Sequence, residues 1–144
     1  HKNAQVGAVF IDYMQLLRLK DNRSNSRQEE LKQICLDLKD CAVETGLPII
    51  LGAQFNRTVT TIAAMHSTAI GEAGDIERIA NLIIGFWNKR FPELGLSPSM
   101  SDEIYATVLK GRDMGAGASE TFDFKGNTGK ISNKAAVDTS KMFS

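Results

Sequence analysis

Two short apolar runs, each followed by a polar residue, stand out in the first third of the chain. Residues 6–11 form an apolar run that ends at Asp12, and residues 48–53 form a second run that ends at Gln54. Continuous apolar strands of this length are typical of a parallel sheet that is covered on both faces. The pattern therefore predicts two buried β-strands whose carboxyl ends lead into Asp12 and Gln54.

The segment between these strands predicts a helix that begins at a capping box. Ser26 is followed three residues later by Glu29, a pairing that satisfies free amides at a helix start. Gly46 is a natural end for the same helix. The apolar stripe, at helical spacing, consists of Leu31, Ile34, Cys35, Leu38, Cys41 and Ala42. Strand, helix and strand together predict a βαβ unit with a right-handed crossover.

The second half of the chain predicts further strands and longer connections. Residues 57–70 have weak periodicity and indicate a loop or an irregular helix, and residues 72–80 favour a helix. Apolar patterns at residues 81–87 and 104–109 predict a third and a fourth strand. Residues 121–132 predict a closing hairpin around a Gly-rich turn. No internal boundary divides the chain, so we treat residues 1–144 as one partial domain.

Two aromatic residues end the predicted third strand. We expect both Phe86 and Trp87 to lie in the core, because the chain has only 7% aromatic residues and no basic residues interleaved with them. A platform for stacked bases usually combines aromatic and basic side chains.

The amino-acid composition indicates a globular protein without a membrane-spanning segment. A chain of 144 residues is long enough for a hydrophobic core. Its 42% apolar and 24% charged residues are ordinary for a globular protein. Seventeen basic and 17 acidic residues give no net charge, so any contact with nucleic acid must come from local geometry. No apolar run approaches the roughly 20 residues of a membrane span, so we expect no membrane partner.

The two cysteines and the first residues of the chain indicate the cellular compartment in which we expect the protein. Cys35 and Cys41 lie six positions apart in one predicted helix, on different faces, which argues against a disulfide or a zinc pair. We therefore expect a reduced, cytoplasmic protein. The chain begins at His1 without a visible signal peptide, and we expect it to be a fragment or a processed chain.

Asp12 and Gln54 are the first candidates for chemistry. The carboxyl ends of parallel strands meet at one edge of a sheet, where open α/β folds bind their ligands. An aspartate there can hold Mg²⁺ through water while the ion bridges phosphate oxygens. A glutamine beside it could sense the γ-phosphate or orient a water. By pattern alone, a turn-capping aspartate and a polar loop glutamine fit equally well.

Four segments resemble motifs of DnaB-type replicative DNA helicases, and they occur in the family's order. Residues 9–18, V-F-I-D-Y-M-Q-L-L-R, resemble the Walker B strand with its D-Y-L-Q-L. Residues 51–57, L-G-A-Q-F-N-R, resemble A-L-S-Q-L-N-R. Residues 71–83 resemble R-E-S-G-x-I-E-Q-D-A-D-L-I, and residues 110–115 resemble K-x-R-N-G. The hairpin at 122–131 matches the family's closing strands. Each motif is weak alone, but the ordered set is specific.

The resemblance implies a fold and an ATP site. The implied fold is α/β and RecA-like: a mostly parallel sheet flanked by helices, with a C-terminal antiparallel hairpin. Asp12 would belong to the Mg²⁺ site, through water, and Gln54 would sense the γ-phosphate of ATP. Lys110 and Arg112 would act in trans in the neighbouring subunit's site, with Arg112 as the arginine finger.

The resemblance also implies partners. The implied parent is an ATP-hydrolysing DNA helicase that works as a homo-hexameric ring on single-stranded DNA, with primase and a helicase loader as further partners. Glu72, Ala73 and Gly74, together with Arg57, would contact the DNA. Backbone amides near a glycine can approach phosphates closely without reading sequence. Gly71 replaces the arginine that opens this motif in the family, which predicts weak DNA affinity.

One expected motif is missing. The 144 residues contain no G-x-x-x-x-G-K-[ST] phosphate-binding loop. In the family this loop and the usual catalytic glutamate precede the Walker B strand, so we expect the chain alone to be inactive. The phosphate-loop strand lies beside the strand that ends at the Gln54 position in RecA-like sheets. Without it, we expect an open apolar strand edge or new pairing.

Two other readings remain open from the sequence. One is a fragment of a RecA-type recombinase or a related regulatory ATPase, which would share the fold. The other is a non-catalytic module that binds DNA or protein.

Overall fold

The computed structural model describes residues 5–20, 26–70, 76–88, 103–113 and 115–134. In chain order the helices and strands are β1 (Val9–Ile11), α1 (Arg27–Thr45), β2 (Ile49–Leu51), α2 (Ile76–Ile79), β3 (Leu82–Asn88), β4 (Glu103–Gly111), β5 (Ser119–Lys125) and β6 (Lys130–Asn133). Short 3-10 turns lie at Met14–Leu16, Ile62–Ala64 and Ser67–Ala69. Within these residues, no helix has both the length and the apolar character to cross a membrane.

The first two strands are parallel neighbours. Val9 lies opposite Ile49, and Ile11 lies opposite Leu51. The Gly52 amide donates to the Ile11 carbonyl at 2.9 Å, which continues the pairing one residue beyond β2. Because the intervening segment is α1, the predicted βαβ unit is confirmed.

Helix α1 begins and ends where its sequence predicts. The Ser26 hydroxyl accepts a hydrogen bond from the Glu29 amide at 3.2 Å, which satisfies one of the free amides of the first turn. Gly46 follows the helix with φ of 66°, the left-handed conformation that glycine adopts without steric cost. The helix therefore has a capping residue at its start and a glycine stop signal at its end.

The core forms where α1 meets the segment that follows β1. Met14 and Leu31 are fully buried. Other buried members come from α1 and from the chain around α2 and β3, and they are Ile34, Cys35, Ile70, Ile76 and Ile83. Cys41, which we expected on the buried stripe, is exposed. The buried face of α1 therefore ends earlier than the apolar pattern suggests.

The remaining strands form one antiparallel sheet in the order β3-β4-β5-β6. Its last pair, β5 and β6, is the predicted C-terminal hairpin, in which Phe124 lies opposite Ile131. In the part of the chain that the structure describes, parallel pairing is confined to β1 and β2. The antiparallel part is thus larger than a hairpin, because β3 and β4 extend it.

Strand β3 alternates strictly between a buried and an exposed face. Ile83, Gly85 and Trp87 are buried, whereas Phe86 is 61% exposed. Successive side chains of a strand point to opposite faces, so Phe86 and Trp87 cannot both enter the same core. The expectation that both are buried is correct for Trp87 and wrong for Phe86.

The segment between Phe55 and Ile70 is a closed loop rather than a helix. Phe55 and Ile70 form an antiparallel bridge, and the Asn56 amide donates to the Ala69 carbonyl at 2.8 Å. Met65 in this loop is buried against β3, where a Cβ at Gly85 would lie 2.9 Å from its sulfur. Of the two predictions for this stretch, a loop or an irregular helix, the structure shows a loop that contains two 3-10 turns.

We predict that Leu31→Ala destabilises the chain much more than Leu36→Ala, on the same helix, does. Leu31 is fully buried, so its truncation should leave a cavity that costs about 2–5 kcal/mol. Leu36 is 37% exposed, and its truncation should cost about 1 kcal/mol or less. Urea unfolding of both variants measures the difference. Equal losses would show that α1 does not pack through Leu31.

Candidate functional site

The exits of β1 and β2 bring Asp12 against the backbone of Gly52. A Cβ placed on Gly52 would lie 3.7 Å from the Asp12 carboxylate oxygen Oδ1 and 3.4 Å from the Ile11 carbonyl oxygen. The Met14 amide donates to the Gly52 carbonyl at 2.9 Å, so the chain on both sides of Asp12 is bonded to this glycine. Asp12 is exposed, and the peptide bond that follows it is cis.

Gln54 lies at the same edge of the sheet, two residues after Gly52. Its side chain is exposed, and its backbone carbonyl accepts a hydrogen bond from the Gln15 side-chain nitrogen Nε2 at 3.4 Å. The structure therefore places Asp12 and Gln54 at neighbouring strand exits, the juxtaposition that the sequence predicts. The specific roles of these two residues stay predictions.

This edge is compatible with a Mg²⁺–nucleotide site of the expected kind. Within the described ranges, no group of three or more His, Cys, Asp or Glu residues could hold a metal ion. A single carboxylate such as Asp12 is enough to hold Mg²⁺ through water, as this ion often is held in nucleotide sites. The Asp12 carboxylate lies beside Gly52, at ordinary van der Waals distance from where a Cβ would stand.

A charged pair at the start of α1 holds the chain that follows Asp12. Glu30 is only 2% exposed and is paired with Arg27. Its carboxylate oxygen Oε1 accepts from the Leu19 amide at 3.0 Å, while the Arg27 nitrogen Nη2 donates to the Gln15 carbonyl at 3.0 Å. Both ends of the segment from Gln15 to Leu19 are thus bonded to the first turn of α1.

The environment of Glu30 stabilises its charged form. The backbone amide of Leu19 and then the Arg27 guanidinium lower the pKa of the Glu30 carboxyl, against the opposing effect of burial. Sequence reasoning missed this pair. The available signal was a glutamate directly before Leu31, at the edge of an apolar stripe where acidic residues are rare.

Lys110 and Arg112 lie at the end of β4, beside α2. The Lys110 side-chain nitrogen donates to the Glu77 carbonyl, and Glu77 in turn accepts from the Ser67 hydroxyl at 2.8 Å. The Arg112 side chain is exposed, and its amide donates to the Asn81 carbonyl at 2.9 Å. The exposed guanidinium can reach another molecule, whereas Lys110 has a partner within its own chain. Their role in trans stays a prediction.

The predicted DNA contacts divide between the described residues and the rest. Glu72, Ala73 and Gly74 lie outside the described residues. Arg57 is exposed and follows Phe55, whose bridge to Ile70 brings it close to the point where the predicted DNA segment begins. The bridge therefore places Phe55, two residues before Arg57, beside Ile70, the last described residue before that segment.

Comparison with known proteins decides the family. The sequence profile of the DnaB-like helicase C terminal domain matches residues 1–133. The chain belongs to this family. It is similar to the replicative DNA helicase DnaB of Mycoplasma genitalium, with 35% identity over 58% of this chain and 18% of the relative. It is also similar to the replicative DNA helicase DnaB of Rickettsia bellii, with 28% identity over 70% of this chain and 20% of the relative.

Solved structures agree with the family. The solved structure of an ATPase domain matches with a TM-score of 0.77 and 25% identity, over 92% of this chain and 46% of that chain. A DnaB-like replicative helicase, described together with its interactions with primase, matches with a TM-score of 0.76 and 26% identity, over 92% of this chain and 32% of that chain. The fold of this DnaB-like chain is thus the RecA-like α/β fold that the sequence predicts. The chain spans about a fifth of the length of the DnaB relatives described above.

We predict that Glu30→Gln lowers the stability of this DnaB-like chain at neutral pH and that the difference from wild type shrinks in acid. A carboxyl with a lowered folded-state pKa contributes stability above the ordinary glutamate value of about 4.3, and the contribution disappears as the pH falls through the lower folded-state pKa. Urea unfolding of both proteins between neutral pH and about pH 3 measures this. The control is Glu44→Gln, at an exposed position of α1. A constant difference across this range would contradict the assignment.

Proposed function

We propose that this DnaB-like chain supplies part of the ATPase site of a replicative helicase. In that role the protein hydrolyses ATP as a homo-hexameric ring, translocates on single-stranded DNA and unwinds duplex. The observation that carries this is the parallel pairing of β1 and β2, which puts Asp12 and Gln54 at adjacent strand exits. The family match over residues 1–133 supports the same conclusion.

Asp12 and Gln54 would face the phosphates of ATP. Asp12 would hold Mg²⁺ at this edge, and the ion would supply positive charge that stabilises the phosphates during hydrolysis. The exposed Asp12 carboxylate would hold the ion through water. Gln54 would sense the γ-phosphate and orient the attacking water, because a neutral amide can donate to one group and accept from another.

Lys110 and Arg112 would complete the site of the neighbouring subunit. Cations placed against a transferring phosphoryl group stabilise charge in the transition state, so hydrolysis would require an assembled ring. The exposed side chain of Arg112 suits this role as the arginine finger. Lys110 would have to exchange its bond to the Glu77 carbonyl for one to the nucleotide.

Single-stranded DNA would run along Arg57 and the segment that contains Glu72, Ala73 and Gly74. The closure of the loop between Phe55 and Ile70 supports this grouping, because Phe55 precedes Arg57 by two residues and Ile70 precedes Glu72 by two. Contacts would be made largely by backbone amides, which bind phosphates without regard to sequence. Such a site adds few counterion-releasing cations, so its DNA affinity should depend only weakly on salt.

The wider partners follow from the replicative role. A similar structure described with primase supports a primase partner, and the resemblance to replicative helicases implies a helicase loader as a further partner. We place the protein in the cytoplasm, where the replicating DNA of its bacterial relatives lies. A RecA-type recombinase or a regulatory ATPase would instead form filaments, which electron microscopy distinguishes from rings.

The purified 144-residue chain should show no ATPase activity, with or without single-stranded DNA. It has no phosphate-binding loop to hold the β- and γ-phosphates. A release assay for inorganic phosphate measures this directly. DNA-stimulated turnover that Asp12→Ala abolishes would refute the prediction.

In the full-length protein, Arg112→Ala should abolish hydrolysis while nucleotide binding is largely retained. An arginine finger acts mainly in the transition state and is worth about 10³–10⁵ in rate. Mixing this variant with Asp12→Ala should restore some activity, because some interfaces would then pair an intact Asp12 with an intact Arg112. Lys130→Ala, which removes an exposed cation from the terminal hairpin, is the control. Near-normal turnover by Arg112→Ala would exclude the trans role.

A further inference from the structure

Gln15 lies between the two strand exits of the candidate site and bonds in two directions. Its side-chain nitrogen Nε2 donates to the Gln54 carbonyl at 3.4 Å. Its own carbonyl accepts from Arg27 Nη2 at 3.0 Å and from Arg18 Nη1 at 3.1 Å. One residue therefore joins the exit of β2 to the chain after β1 and to the first turn of α1.

The contact with the Gln54 carbonyl favours one orientation of the Gln15 amide. If the amide were reversed, its oxygen would face the carbonyl oxygen of Gln54, and two acceptors would repel each other. With the nitrogen facing Gln54, the oxygen Oε1 is buried, and none of the described residues donates to it. Buried polar atoms are nearly always bonded, so an apolar side chain of the same length would suit this position better if packing were its only role.

The hydrogen bond from Gln15 meets Gln54 beyond the last backbone hydrogen bond between the two strand exits. The last backbone bond between the two exits is from the Met14 amide to the Gly52 carbonyl, two residues before Gln54. The next backbone bond is from the Asn56 amide to the Ala69 carbonyl, which ties the chain to the following loop. Between these points, the Gln15 side chain is what connects the Gln54 backbone to the Asp12 side of the site.

The anchor behind Gln15 is rigid. Arg27, which holds its carbonyl, is paired with the buried carboxylate of Glu30. Glu30 is itself bonded to the Leu19 amide. A displacement of Gln15 would therefore break bonds to a buried ion pair, so Gln15 is a fixed reference point for Gln54.

We propose that Gln15 is a positioning residue for ATP hydrolysis. Its amide holds the Gln54 backbone at a set distance from Asp12, so that the Gln54 side chain meets the γ-phosphate and the attacking water. This inference rests on the proposed roles of Asp12 and Gln54. Gln15 acts through Gln54 and makes no contact with nucleotide itself.

The test compares variants of the full-length protein in steady-state ATPase assays with single-stranded DNA. Gln15→Met keeps the length of the side chain and removes its donor, and Gln15→Glu keeps the shape but places an oxygen against the Gln54 carbonyl. A misplacement of about 1 Å costs roughly 10²-fold in rate, so kcat should fall about 10- to 100-fold in both variants. The KM for ATP should stay near the wild-type value, because the groups that bind the nucleotide are unchanged.

The matched control is Gln33→Met. Gln33 is an exposed residue of α1 whose side chain donates to Asp37 at 2.7 Å, so the same substitution removes a comparable bond away from the site. Its kcat and KM should equal those of wild type. Thermal unfolding of every variant separates positioning from folding, since a loss of kcat that merely follows the loss of folded protein would overturn the proposal.

Asp12→Ala in the same assay separates this inference from the proposed function. If Asp12→Ala abolishes turnover while Gln15→Met and Gln15→Glu retain wild-type kcat, the positioning role is refuted and the proposed function stands. If Asp12→Ala retains turnover, the proposed function itself fails. A reduced kcat with unchanged KM and unchanged unfolding temperature in both Gln15 variants would support the positioning role.

Discussion

The parallel pairing of β1 with β2 is the constraint on which the rest of this structure depends. Parallel neighbours cannot be joined by a tight turn, so the chain must cross over, and the crossover here is α1. The helix must then bury an apolar face, and it does so on Met14, directly after β1. The same pairing places the carboxyl ends of both strands at one edge of the sheet, where Asp12 and Gln54 lie. Core and candidate site are therefore consequences of one arrangement.

Three sets of contacts stabilise that edge. Backbone bonds from Gly52 to Ile11 and from Met14 to Gly52 extend the pairing past the ends of the strands. The Gln15 side chain then adds a hydrogen bond to the Gln54 carbonyl. The ion pair of Arg27 with the buried Glu30 then holds the chain after Gln15. A buried carboxylate is costly unless it is paired and hydrogen-bonded, and Glu30 is both.

The second sheet leads into the two cations that are proposed to act in a neighbouring site. Lys110 lies near the end of strand β4 and Arg112 directly follows it, and they are bonded to the chain at Glu77 and Asn81, respectively. Helix α2 therefore separates two predicted functions: the DNA segment precedes it, and the cations for a neighbouring site lie beside its end. The exposed apolar side chains of β3, such as Phe86, show that one face of this sheet is not covered by the described residues.

The sequence by itself determined the local elements and the family. Helix α1 is bounded by Ser26 and Gly46, whose effects act over three or four residues. The ordered motifs indicated the DnaB-like family, because each is a short run of adjacent residues. What required the tertiary structure was every contact between distant residues. Phe86 is exposed because strand alternation excludes it from the face that buries Trp87. Gln15 meets Gln54, 39 positions away, only because the crossover brings the two exits together, and no local pattern encodes that distance.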